Sequence, residues 1–199
     1  METDPQPRSL RHLLADIPLV SLLPEADTMV SGIVVDSRRV QPGEIFVALV
    51  GGTTDGHTYI PSAISRGAAA IIGSQSLSDL PVPYIRVADT RQTLPHLAAA
   101  YYDHPGRKLT VIGITGTDGK TTTANLIYQI LRTAGMKTGM ISTVSAVIGD
   151  EEIDTGFHVT TPDPVYIQRY LAKMVQRGLT HVVIEATSHG LAQYRVDGC

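Results

Sequence analysis

Cysteine is nearly absent from this 199-residue chain, and the single one, Cys199, is its last residue. A disulfide framework and a cysteine-rich metal site are thereby excluded. Charge of one sign is scarce as well: 16 Lys and Arg stand against 19 Asp and Glu, a formal net charge of −3. No basic run interrupts that balance, so the electrostatic footprint of a nucleic-acid-binding surface is missing and no nucleic acid is expected as partner. No apolar run approaches the roughly 20 residues of a membrane helix, so no membrane partner is expected either. The opening stretch METDPQPRSL is polar and holds two prolines, which leaves no secretory h-region. Internal repeats and low-complexity segments are lacking. What is left is an ordinary globular composition, 43% hydrophobic and 18% charged, with length for one or two domains. A cytoplasmic monomer is the expectation.

Residues 9–15 (SLRHLLA) read as a short helix with Ser9 as N-cap. GIVVD (32–36) and EIFVALV (44–50) read as strands on either side of a Pro-Gly turn. YIPSAISRG reads as a helix ending at Gly67, AAAIIG (68–73) and PYIRV (83–87) as short strands, and 90–102 as a helix. Pro95 weakens the first turn of that helix. YDHPGRK (102–108), charged around a central Pro-Gly, reads as a linker. From Leu109 strand and helix alternate: strand LTVIGIT, helix 121–134 stopped by Gly135, strand TGMIST (138–143), hairpin 146–156, helix from just after Pro162 to Gly178, strand HVVIEAT (181–187). This order implies a parallel sheet covered by helices on both faces. The expected fold class is α/β, with one small domain over residues 1–105, able to fold alone, and a second over 106–199.

The segment TGTDGKTTT (115–123) lies on the turn between an apolar strand and a helix. Strand, glycine-bearing turn and Lys-Thr at a helix start form a P-loop arrangement. Backbone N–H groups and the helix N-terminus attract anionic oxygens, Lys120 reaches outer phosphates, and the Thr121 hydroxyl can ligate Mg²⁺. The strict pattern G-x-x-x-x-G-K-[ST] is not met, because five residues separate Gly113 from Gly119 and two separate Gly116 from Gly119. The alternative is a turn with coincidental glycines and an exposed lysine. Glu185 follows Val182-Val183-Ile184 at the carboxyl end of a strand, where ligand sites of open α/β sheets lie. Taken alone it reads equally as a solvated acid or as a carboxylate holding Mg²⁺ beside a nucleotide. Thr160 and Thr161 read as plain helix caps, Asp36-Ser37 as a strand-end turn, and His189 as a hydrogen-bonded structural residue.

The spacing GxxGK[ST] after an apolar strand and Gly-Ile-Thr resembles the Mur ligase family, ATP-dependent enzymes that join amino acids to a UDP-linked peptidoglycan precursor. The family's loop is usually GTNGKTTT; here it is GTDGKTTT, so Asp118 adds a carboxylate that the helix N-terminus can offset. DSRRVQPGEIFVALVGGTTDGHTYI (36–60) resembles the UDP-binding N-terminal domain shared by two branches of the family. TTPD (160–163) and EATSHGLAQYR (185–195) favour the MurE-type branch, which adds the third stem-peptide residue and whose second motif usually begins EVSSHGL. The MurF-type branch, which adds the terminal dipeptide, is the alternative. The resemblance covers nearly the whole chain. It implies an N-terminal UDP-MurNAc-binding domain followed by the first part of a P-loop, parallel-sheet ATPase domain, with ATP and Mg²⁺ as cofactors. It further implies nucleotide contacts from Gly116, Thr117, Asp118, Gly119, Lys120, Thr121 and Thr122, with Lys120 and Glu185 catalytic and Thr121 and Glu185 holding the metal. Contacts to UDP-MurNAc-L-Ala-D-Glu are implied for Val35, Ser37, Gly52, Thr53, Thr54, Thr160, Thr161, Thr187, Gln193 and Arg195. The arginine fork suits the D-glutamyl carboxylate, and a diamino acid is the expected second substrate.

Two other classes compete. A small-molecule kinase or switch NTPase could carry the same loop but should lack the DSR…PG…DGH segment. A non-catalytic nucleotide or UDP-sugar binding fragment is the other. About 90 residues follow the linker, against the roughly 100–150 of a typical domain. Truncation is therefore expected, with the family's carbamylated lysine, metal-binding histidine and C-terminal domain lying beyond residue 199. An unprotected sheet edge is expected with it.

Overall fold

The computed structural model describes residues 6–21, 23, 26–51, 54–142, 145–154 and 161–199. They form two compact units that divide between Tyr101 and Tyr102.

In the first unit, β1 (Arg8–Ser9) pairs antiparallel with β2 (Met29–Val30), and α1 (Leu10–Leu13) follows β1 directly. The Ser9 side chain caps α1 by accepting from the His12 N–H at 3.2 Å. Then come β3 (Gly32–Val34), β4 (Glu44–Val47), α2 (Ile60–Ser65), β5 (Ala70–Gly73), β6 (Tyr84–Arg86) and α3 (Thr90–Tyr101). The four strands lie side by side in chain order, all parallel. Phe46 and Ile71 pack with Val40, Ile60 and Ala63 on one face. Their neighbours Ile45 and Ile72 point to the opposite face by strand alternation and are equally buried. A parallel sheet buried on both sides explains why these strands are continuously apolar rather than alternating.

Pro95 does not disturb the first turn of α3. Asp89 fixes that turn from outside: its carboxylate accepts from the N–H of Arg91 (2.7 Å) and of Gln92 (3.2 Å). Its carbonyl accepts from the Thr93 hydroxyl at 2.7 Å. A cap of this strength holds the helix start although proline can donate no hydrogen bond further on.

The second unit contains β7 (Thr110–Ile114), α4 (Lys120–Thr133), β8 (Thr138–Ile141), β9 (Ser145–Ile148), β10 (Glu151–Asp154), α5 (Pro164–Gln176), β11 (His181–Glu185) and α6 (Ser188–Ala192). Its sheet has the order β10-β9-β8-β11-β7. The last strand, β11, sits between β8 and β7 and is parallel to both. Val183 and Met140 pack under α4 with Ala124 and Tyr128. Val182, Ile184 and Ile141 pack under α5 with Ile167, Leu171 and Met174. Helices thus cover both faces, as the βαβ order implies.

The sheet is mixed rather than purely parallel. The hairpin β9–β10 continues it antiparallel alongside β8, so this flank is occupied. Among the described residues β7 pairs on one side only, and on α4 Leu126 and Ile130 are about 60% exposed (60% and 58%). The helix after Pro162 begins one residue later than its sequence suggests. Asp163 is its N-cap, accepting from the Val165 N–H at 3.2 Å, and Pro164 takes the first turn. A short carboxylate before a proline outcompetes a threonine for that role, which frees Thr161 for other bonds. Among the described residues no helix is long and apolar enough to cross a membrane.

Candidate functional site

In the second unit the site grows from the strand order. Because β11 lies directly beside β7, Glu185 is in register with Ile114, the last residue before the glycine loop. The pairing runs on for one more bond, Ala186 N–H to the Ile114 carbonyl at 2.9 Å. The loop turns into α4 through Gly119, whose φ of +73° lies in the left-handed region. A Cβ there would meet nothing within 4 Å, so the glycine is required by backbone conformation and not by space. Gly119 offers no side chain to cap α4. The first N–H groups of a 14-residue helix are therefore left to whatever binds in front of them.

The Lys120 ammonium folds back over this loop and donates to the carbonyls of Gly116 (2.9 Å) and Thr117 (3.0 Å). Those two bonds hold its charge at the mouth of the helix N-terminus. The Thr121 hydroxyl points the other way, donating between the two Glu185 carboxylate oxygens at 3.0 and 3.1 Å. Glu185 is 1% exposed, and Asn125 steadies the same turn by donating to the Thr121 carbonyl at 2.9 Å. Asp118 and Thr122 are exposed. Asn125 carried no signal in the sequence, because a polar residue one turn into an exposed helix face is unremarked without the structure. Glu185 is thus a buried acid in contact with the loop, not a solvated strand end.

Thr161, Thr187, Gln193 and Arg195 form a second, connected group. The Arg195 guanidinium donates to the Thr161 carbonyl (2.5 Å) and, through Nε and Nη2, to the Gln193 side-chain oxygen (3.0 and 2.7 Å). The Thr161 hydroxyl accepts from the Thr187 N–H at 3.1 Å. Thr187 caps α6 by accepting from the Gly190 N–H at 2.9 Å. Gly190 is a close-packing position that the sequence pattern did not mark. A Cβ on it would stand 2.6 Å from Thr161 Oγ1 and 2.7 Å from Thr161 Cβ, so only glycine lets α6 approach this closely. His189 is exposed in α6, and among the described residues its ring makes no hydrogen bond, contrary to the expectation of a hydrogen-bonded structural residue.

In the first unit, the candidate residues cluster beyond the carboxyl ends of β3 and β4. Val35 and Ser37 follow β3; Ser37 is buried at the start of a 3-10 turn, Ser37–Arg39, whose cap is Asp36. The segment after β4 is closed by Gly51 N–H donating to the Thr54 carbonyl at 2.8 Å. Gly52, Thr53 and Thr160 lie outside the described residues. A buried histidine locks the same region. His57 Nδ1 meets Asp55 at 2.6 Å, while Nε2 accepts from the N–H of Ser74 (2.9 Å) and Gln75 (3.3 Å), tying the segment after β4 to the one after β5. The spacing Asp-x-His was its only signal.

The Asp36 carboxylate is bound bidentately by Arg38, at 2.9 Å from Nε and 2.8 Å from Nη2. Those bonds pull its pKa from the ordinary 3.8 down to about 2. Since the folded value is the lower one, any stability it contributes is present above about pH 3.8 and is lost as pH falls toward about 2. A carboxyl ¹³C titration is expected to place Asp36 near 2, and Arg38→Ala should return it toward 3.8. An ordinary midpoint in the unaltered chain would refute the ion pair.

Comparison with known proteins adds a lineage to this geometry. The profile described as Mur ligase family, catalytic domain, matches residues 29–102, and that of the Mur ligase middle domain matches 114–199. A Bacteroides fragilis protein named UDP-N-acetylmuramoyl-L-alanyl-D-glutamate–2,6-diaminopimelate ligase is 41% identical over 191 residues, 95% of this chain and 39% of that protein. A solved structure bearing the same ligase name superposes with a TM-score of 0.77 at 27% identity, covering 98% of this chain and 39% of the other. A MurF ligase from Thermotoga maritima, solved in complex with ADP, superposes with a TM-score of 0.52 at 27% identity, over 78% of this chain and 32% of that one. The chain therefore spans about two fifths of the length of such relatives. With both profiles matched in tandem and this similarity running along nearly all of its residues, the chain belongs to the Mur ligase family.

Proposed function

We propose that this chain is the UDP-substrate- and nucleotide-binding part of a MurE-type ligase of peptidoglycan precursor synthesis, working in the cytoplasm. The reaction would pass the γ-phosphoryl group of ATP to the D-glutamyl carboxylate of UDP-MurNAc-L-Ala-D-Glu. The amine of a diamino acid would then displace phosphate to form the amide. Residues 1–105 would hold the UDP end and residues 106–199 the phosphates and the muramoyl peptide.

The observation that carries the reading is the contact of Thr121 with buried Glu185 beside the lysine-bearing loop. One hydroxyl and one carboxylate make a small oxygen set of the kind Mg²⁺ uses when it keeps several waters and also binds phosphate. Bound there, Mg²⁺ would neutralise phosphate charge. The chain's own contributions are electrostatic and positional. Lys120 and the open N-terminus of α4 would hold phosphate oxygens, while the Gln193-braced Arg195 would orient the carboxylate that attacks. Phosphoryl transfer needs little covalent help from a protein, which suits this set.

The MurE-type branch is favoured over the MurF type by the EATSHGLAQYR segment and by the closer superposition on the diaminopimelate ligase, a TM-score of 0.77 against 0.52 to 0.63 for MurF structures. The test supplies an enzyme carrying this chain with ATP, Mg²⁺, UDP-MurNAc-L-Ala-D-Glu and a diamino acid. ADP and a tripeptide product are expected together. ADP release that ignores the muramoyl dipeptide would point to an NTPase or kinase instead, and product only from the tripeptide nucleotide with D-Ala-D-Ala would point to the MurF branch.

A further inference from the structure

The segment after β4 is held by a histidine whose ring hydrogen can be placed. Val50 and Asp55 bridge antiparallel across the turn of that segment, and the Gly56 N–H returns to the Leu49 carbonyl at 2.8 Å. Arg91, at the start of α3, donates to the Val50 carbonyl at 2.6 Å. Just past the turn stands His57, with 4% of its side chain exposed. Its Nε2 lies 2.9 Å from the Ser74 nitrogen and 3.3 Å from the Gln75 nitrogen, both backbone N–H donors. A ring nitrogen accepts only through its lone pair, so Nε2 carries no proton. The hydrogen of the neutral ring is therefore on Nδ1, which donates to Asp55 at 2.6 Å. The Gln75 side-chain amide closes the circuit by donating to the other Asp55 oxygen at 2.7 Å.

Space gives the ring no other place. A Cβ on Gly73 would stand 2.4 Å from the Tyr84 hydroxyl and 2.8 Å from His57 Nε2, so phenol and imidazole fill the room over the last residue of β5. The charged and titratable groups around this clamp are Asp55 on its own segment, Tyr84 and Arg86 on β6, and Arg91 on α3. Arg86 Nε donates to the Ser74 carbonyl at 3.2 Å and the Tyr84 hydroxyl to the Gln75 carbonyl at 2.7 Å. They fix the two residues whose N–H groups meet the ring. Burial pushes the Tyr84 phenol up, so it stays protonated while an imidazole titrates. Among the described residues Nε2 meets no acceptor, so a proton there would face two N–H groups and break both bonds. We propose that His57 is a positioning residue: its neutral ring holds the Val50–Asp55 turn in its ligand-binding form, and a proton on Nε2 releases the turn and weakens binding. This rests on the proposed function, which sets the UDP end against Ser37 and the segment after β4. Being buried, His57 acts through the turn rather than by touching the ligand.

The experiment follows UDP-MurNAc-L-Ala-D-Glu binding to the chain by calorimetry as pH is lowered. In parallel, ¹⁵N NMR of the imidazole, assigned by its disappearance in His57→Gln, reports the protonation of the ring. At neutral pH a protonated Nδ1 and a bare Nε2 are expected. Affinity should fall about tenfold as the ring takes up its second proton, the order of one or two net hydrogen bonds. His57→Gln puts a carbonyl oxygen where Nε2 stands, so it should bind within a few-fold of the parent and lose the pH step. His57→Leu should bind about tenfold more weakly at every pH, also without a step. Thermal melts identify the conditions in which each chain is folded. If the parent unfolds before its ring is protonated, the glutamine and leucine variants decide: glutamine as weak as leucine, or leucine as tight as the parent, overturns the inference. If the leucine variant does not fold, the parent and glutamine profiles decide. An Nε2–H tautomer at neutral pH, an affinity indifferent to ring protonation, or a pH step that survives in His57→Gln would each overturn the inference and leave the proposed function standing. Absence of binding in the parent at neutral pH would instead overturn the proposed function, and this inference with it.

Discussion

Replacing Lys120 with alanine is expected to lower turnover of a ligase carrying this chain by about 10²- to 10³-fold, the loss seen when one preorganised charge-stabilising donor is removed. The fold should not suffer. The carbonyls that Lys120 serves belong to Gly116 and Thr117, both exposed, so water can take over when the ammonium is gone. Lys120→Arg should rescue poorly, since a planar guanidinium cannot replace a compact ammonium held between two carbonyls of a tight turn. Steady-state kinetics with a parallel thermal melt separates the two effects. An alanine variant within a few-fold of the parent would sink the phosphate-loop assignment.

Glu185→Gln should be almost as damaging, for a different reason. The amide keeps the size of the side chain and can still accept from Thr121, so the buried site stays packed. What goes is the negative charge that would hold Mg²⁺. Losing a metal's charge stabilisation removes several kcal/mol, so turnover should fall by about 10²- to 10³-fold, with far more Mg²⁺ needed for half-maximal rate. Thr121→Val should move in the same direction, while Thr121→Ser should move little. Titration of rate against Mg²⁺ reads all three, and an unchanged Mg²⁺ requirement in Glu185→Gln would remove Glu185 from the metal site.

The amino-acid sequence determined the local elements and their order. Ser9, the left-handed glycines Gly67, Gly135 and Gly178, and the apolar runs mark where helices stop and strands lie, because caps, φ angles and hydrophobic periods are properties of neighbouring residues. The loop from Gly116 to Thr121 was legible for the same reason: its chemistry is contained in a few consecutive residues. Three features were not. Asp163, rather than a threonine, starts α5, since several residues near a helix start can cap it and backbone geometry picks one. The hairpin β9–β10 joins the main sheet, a choice made by long-range pairing. Above all, the meeting of Thr121 with Glu185, 64 positions apart, depends on the last strand inserting between β7 and β8. Nothing in either segment encodes that adjacency, because strand order is settled by how the two sheet faces are buried under α4 and α5. The same insertion brings Thr187 to Thr161, 26 positions away in the sequence.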